Sequence, residues 1–162
     1  MHAKDVIRQN IQGADMILRK YVDDLEDADL LLCPVEGMNP IAWQLGHLIA
    51  TERNMVEAIK PGSCPALPAG FAEAHPRKPE EANPASFKTK QEYLKLWEAQ
   101  RAATLKVLDA MTDAELDSPS EERLRQMWPT VGAVMDLQGT HPLMHVGQFV
   151  AVRRHLKKPV AI

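Results

Sequence analysis

Apolar residues recur every three or four positions along four stretches of this chain, and no alternating strand pattern competes with them. Over residues 3–27, Ile7, Ile11, Ala14, Leu18, Tyr21 and Leu25 line one face, which predicts a first helix. Asp23, Asp24, Glu26 and Asp27 put negative charge at its C-terminal end, where the helix dipole disfavours it, so that end is expected to fray or stop early. Residues 30–38, with Pro34 and Gly37, read as a connection. A second helix follows. Asn39 is suited to its N-cap and Pro40 to its first turn. Trp43, His47, Ala50, Thr51 and Asn54 share one face of it, and Lys60, Pro61 and Gly62 end it.

Residues 61–88 carry six of the twelve prolines and little periodicity. Such a connection is too long for adjacent antiparallel helices. It suits a crossover along the length of a bundle, which makes the second and third helices roughly parallel. The third helix opens with Thr89 and Glu92 at capping-box spacing. Tyr93, Leu96, Trp97, Gln100, Ala103, Thr104, Val107 and Leu108 form its inward face. Thr112 and Glu115 predict a short extra turn before Ser118 and Pro119. The fourth helix is expected over residues 130–157, with Pro142 inside it. A proline there removes one N–H and crowds the carbonyl of residue 138, so a kink or a lost hydrogen bond is expected beside His141. Four amphipathic helices give an all-α four-helix bundle, and 162 residues make it a single domain.

Composition narrows the function classes. A net charge of −3, with no basic stripe interleaved with aromatics, points away from nucleic acid. Charges interrupt every apolar run well short of the ~20 residues of a membrane span. The N-terminus lacks the apolar centre of a signal peptide. Cys33 and Cys64 form no CxxC pair and read as two reduced thiols in loops, which fits the cytoplasm.

The chemistry is concentrated in histidines. His141 and His145 lie four apart, close in azimuth and ~6 Å apart along a helix axis, so both can reach one ion. His47 looks inward from the second helix and can supply a third nitrogen. Three imidazoles suit zinc, nickel, copper or iron, and they leave positions open for water or substrate. Satisfied core or surface histidines are the plainer alternative. His2, His75 and His155 read as solvated. Trp43, Thr51, Asn54 and Gln148 are candidates to line the pocket or support the ligands; ordinary helix packing is their alternative. Arg153 and Arg154 read as a solvated basic helix end or the rim of a mouth. Glu52 and Asp136 turn aside from the histidine face, so no general base or other catalytic side chain is assigned.

The segment Asn39-Pro-Ile-Ala-Trp-Gln-Leu-Gly-His-Leu48 resembles the second-helix signature of the DinB/YfiT-like metalloenzyme superfamily. Thr140-His-Pro-Leu-Met-His-Val-Gly-Gln148, followed by Arg153 and Arg154, is similar to its fourth-helix signature. The resemblance covers nearly the whole chain. It implies up-down-down-up topology, with the long crossover between helices two and three. It implies a divalent metal, nickel or zinc, on His47, His141 and His145, and a homodimer. It further implies a thiol-dependent S-transferase using a low-molecular-weight thiol such as bacillithiol or mycothiol, or a hydrolase, acting on a small molecule. A non-catalytic bundle that binds a metal or small ligand is the rival reading.

Overall fold

The computed structural model describes residues 2–162, and among them the regular structure is helical. Four helices are long: α1 (Ala3–Val22), α2 (Ile41–Ile59), α4 (Lys90–Ala110) and α6 (Val131–His155). Two are short, α3 (Phe71–Ala74) and α5 (Asp113–Asp117). The 61–88 connection is built from α3 and two single 3-10 turns, Pro79–Glu81 and Pro84–Ser86. No described helix is long and apolar enough to cross a membrane.

The first helix stops at Val22, five residues short of the predicted end. Its acidic tail finds partners outside the helix instead. Asp24 pairs with the buried Arg153, and the Asp27 Oδ1 accepts the Lys90 backbone N–H at 2.6 Å, at the first turn of α4. A carboxylate is favoured at that positive helix end and disfavoured at the C-terminus of α1. Leu25 remains fully buried although it lies outside the helix. The second helix begins at Ile41 with Pro40 in the cap position, and the Asn39 side chain makes no capping bond. Thr89, Thr112 and Thr130 cap α4, α5 and α6 by accepting the backbone N–H of Glu92, Glu115 and Ala133.

The long helices bury their apolar faces in two clusters. The larger joins Leu18 and Tyr21 of α1, Leu45, Leu48 and Ile49 of α2, Tyr93 and Trp97 of α4, and Val146 and Phe149 of α6. The smaller, toward the other end, joins Ile7, Ile11, Val56, Leu108 and Met135. Cross-helix bonds fix the register. Asn10 of α1 donates to the Asp136 side chain at 2.8 Å, beside Gly139, where a Cβ would overlap the Asn10 amide. Arg153 donates to the Tyr21 carbonyl at 3.0 Å and to that of Pro159 at 2.8 Å, so this arginine is a buried tie between α1, α6 and the C-terminal segment, not a solvated end. Trp97 donates to Asp15 at 2.6 Å.

Helix α6 runs through Pro142 without interruption. The proline cannot donate to the carbonyl four residues back, that of Gln138. A side chain from a neighbouring helix takes that acceptor: the Nη1 of Arg101 lies 2.6 Å from it.

Candidate metal centre

His47 of α2 and His141 and His145 of α6 come together in the fold. Their ligand atoms lie within 4.8 Å of one another, and the three side chains are half-buried. The Nε2 atoms of His141 and His145 are 3.2 Å apart. Two nitrogens bound to one ion at about 2.0–2.1 Å, with tetrahedral or octahedral angles, would sit ~2.9–3.4 Å from each other. The α6 pair therefore already has the spacing of two ligands of one metal. The His47 ring stands 5.4 Å, centroid to centroid, from each of the other two.

Two of the imidazoles are held from behind. The Trp43 indole, one turn before His47, stacks on its ring at 4.8 Å and 12°, and donates its own N–H to the Pro76 carbonyl at 3.1 Å. The Nδ1 of His145 lies 2.8 Å from the Oε1 of Gln44, a fully buried side chain. The Gln44 Nε2 donates to the Asn39 carbonyl at 2.7 Å, which fixes which end of the amide faces His145. An amide oxygen only accepts, so Nδ1 carries the proton and the His145 Nε2 lone pair faces His141.

Burial lowers the affinity of all three rings for protons. His141 is held down to about 4, by burial first and then by the neighbouring His47 and Arg101. His145 is held down to about 3, by burial and then by His141 and His47. His47 is lowered by burial and, to a lesser degree, by His75. The rings are thus neutral at pH 7 and present lone pairs, the form that a metal requires.

The other proposed site residues are more scattered. Thr51 is half-buried one turn past His47. Asn54 is exposed and lines a separate cavity of ≈300 Å³ with Arg53, Leu67 and Phe71. Gln148 is exposed on α6. His75 departs from the sequence expectation, because it is buried rather than solvated. Its Nδ1–H donates to the Phe71 carbonyl at 2.7 Å, and its Nε2 accepts from the Tyr93 hydroxyl at 2.6 Å. With both nitrogens engaged, it packs against the missing side chain of Gly46, where a Cβ would overlap the ring. His2 and His155 are exposed as expected.

Sequence reasoning missed Gln44 and Arg101. A glutamine within an apolar run, three residues before a candidate ligand, was a usable signal for the first, and the orphaned carbonyl behind Pro142 was one for the second. Glu52 is buried, but it belongs elsewhere: its Oε1 accepts from Thr104 at 2.6 Å, and its Oε2 faces the Nε of Arg101 at 3.4 Å. Asp136 serves Asn10. Among the described residues, the group with metal-ligand geometry consists of imidazoles alone.

Compared with known protein families, residues 11–149 match the family model described as the DinB superfamily. A comparison with curated proteins finds no match.

Proposed function

From the premise that this chain belongs to the DinB superfamily, we propose that it is a metal-dependent enzyme acting on a small molecule, with His47, His141 and His145 holding one nickel or zinc ion. A divalent ion there would supply Lewis acidity and lower the pKa of a thiol or water at an open position. The chain's own residues set the stage. Gln44 keeps the proton on Nδ1 of His145, Trp43 backs the ring of His47, and burial keeps the imidazoles neutral.

The observation that carries the reading is the set of three convergent neutral imidazoles with no carboxylate among them. Without a general base, a nucleophile that already ionises near neutral pH has the advantage. A free thiol has a pKa of about 8.5, against 15.7 for water. This favours S-transfer from a low-molecular-weight thiol over hydrolysis. The same lack of a base fits a non-catalytic metal- or ligand-binding bundle, so turnover has to decide.

The test is a panel of small thiols and electrophiles, with esters alongside, run with nickel- or zinc-loaded and with chelated protein. Loss of electrophile that needs both thiol and metal supports S-transfer. Ester cleavage without thiol supports the hydrolase. No turnover with either points to the binding bundle.

The framework of the proposal is a four-helix bundle of up-down-down-up topology. Lys4 meeting Met111, and Asp15 meeting Trp97, support opposed directions for α1 and α4. Asn10 with Asp136, and Tyr21 with Arg153, support a shared direction for α1 and α6. Gln44 with His145, and Met55 with Gln138, support opposed directions for α2 and α6. A cytoplasmic homodimer completes the reading; its support is the family resemblance, and light scattering on the purified protein tests the dimer.

A further inference from the structure

Burying a guanidinium costs several kcal/mol unless its partners are good. Arg101 and Glu52 are both buried, with side-chain exposures of 4% and 3%, yet their closest approach is 3.4 Å. Neither Nε nor Nη2 of Arg101 makes a hydrogen bond. The ion pair alone is therefore a poor account of why an arginine sits here. Its well-formed contacts are two others. The guanidinium carbon lies over the Trp97 ring, 3.9 Å from the centroid, and Nη1 donates to the Gln138 carbonyl at 2.6 Å.

That carbonyl is the acceptor that Pro142 leaves without an amide. Gln138 lies one helical turn before His141, and Pro142 follows His141 directly. The turn of α6 that carries a proposed ligand is thus the turn whose own hydrogen bonding is incomplete. It is completed by a charged donor anchored on α4. A guanidinium keeps its donors at any ordinary pH, so the substitute bond does not depend on a titration.

We propose that Arg101 is a positioning residue for the metal centre, holding through the Gln138 carbonyl the proline-weakened turn of α6 that aims His141 at His47 and His145. The inference rests on the three-histidine metal reading. It assigns Arg101 no contact with substrate or metal.

The test is a double-mutant cycle on the full chain. It is run in a Glu52→Gln background, so that no bare carboxylate is left inside. Arg101→Met, Pro142→Ala and the pair are titrated with Co²⁺, following affinity and the cobalt absorption spectrum, and the thermal midpoint of each metal-free protein is recorded. Arg101→Met is expected to weaken Co²⁺ binding at least tenfold while Pro142 is present. With Pro142→Ala, which restores an N–H for the Gln138 carbonyl, the same change is expected to cost less than threefold. Leu108→Ala, in the apolar cluster at the other end, is the comparator: it should lower the thermal midpoint and leave Co²⁺ affinity unchanged. An equal loss in both backgrounds, or no loss in either, overturns the inference. If the Glu52→Gln parent and the unmodified chain both take up no Co²⁺, the metal reading itself has failed. The coupling is then read from the metal-free midpoints, where Arg101→Met must cost more with Pro142 than with Pro142→Ala, and equal shifts overturn it. Should Arg101→Met not fold, Arg101→Leu, which likewise removes the donor to the Gln138 carbonyl, runs the same cycle on the same criterion.

Discussion

His145 donates its Nδ1 proton to the Oε1 of Gln44 across 2.8 Å, and the Gln44 amide is itself fixed by the Asn39 carbonyl at 2.7 Å. The bond selects the tautomer whose Nε2 faces His141. Removing such a partner behind a metal-bound histidine typically costs 10–100-fold in affinity. Gln44→Leu is therefore expected to weaken Zn²⁺ or Ni²⁺ binding by about that factor, while Gln44→Glu, which still accepts from Nδ1, retains it. Calorimetric titration of the two variants checks this; equal affinity for Gln44→Leu and the wild type would remove Gln44 from the site.

Gly46 gives way to the His75 ring, which bridges the Phe71 carbonyl and the Tyr93 hydroxyl. A methyl group at position 46 has no room unless that ring moves. Gly46→Ala is expected to destabilise the fold by about 1–3 kcal/mol, as overpacking does. Adding His75→Ala should cost less than the sum of the single changes, because it opens the space the methyl group needs. Urea denaturation of the four proteins measures the coupling, and strict additivity would contradict the packing described.

The half-buried histidines of the trio and the buried His75 make the metal-free protein sensitive to mild acid. His141, His145, His47 and His75 all have folded-state pKa values below the ordinary 6.5, with burial as the first cause. Below 6.5 the unfolded chain takes up protons that the folded one refuses. Stability is thus full above about pH 6.5 and falls as the pH drops through the window toward 5. The loss is about 1–2 kcal/mol each for His141 and His145, which stay neutral through that window. Glu52, raised by burial, acts in the opposite sense, and a variant comparison cancels it. His141→Gln with His145→Gln is expected to flatten the profile between pH 6.5 and 5. Denaturation midpoints against pH test this, and parallel profiles would show that the rings titrate normally.

Arg153 links three parts of the chain through the Tyr21 carbonyl, the Pro159 carbonyl and Asp24. Arg153→Met is expected to cost about 2 kcal/mol, mostly through the buried Tyr21 carbonyl it leaves unpaired. Asp24 is about half exposed, at 47%, so Asp24→Asn should cost much less. Chemical denaturation ranks the two, and a larger loss for Asp24→Asn would contradict this division.

The long helices and the histidine trio were legible because both are periodic signals: a 3.6-residue repeat of apolar positions, and an i,i+4 pair. The misses share a cause, since each depends on which surface covers a residue. His75 stands in a proline-rich connection and looks solvated until that connection is seen to lie under α2. Gly46, a glycine inside an otherwise good helix, was the one trace of it in the sequence. Arg153 looked like a basic helix end because its partners, Tyr21 and Asp24, are more than a hundred residues away. The early stop of α1 was legible in its acidic run, but the destinations of those acids, Arg153 and the start of α4, were not.

The central claim is that His47, His141 and His145 together hold one divalent ion. Its most direct test is metal binding by the purified full chain, with Zn²⁺ and Ni²⁺ titrated into wild type, His47→Ala, His141→Ala and His145→Ala, and stoichiometry read by elemental analysis. The wild type is expected to take up one ion per chain, and each variant to bind at least a hundredfold more weakly. A wild type that takes up no ion, or three variants that bind as tightly as the wild type, would contradict it.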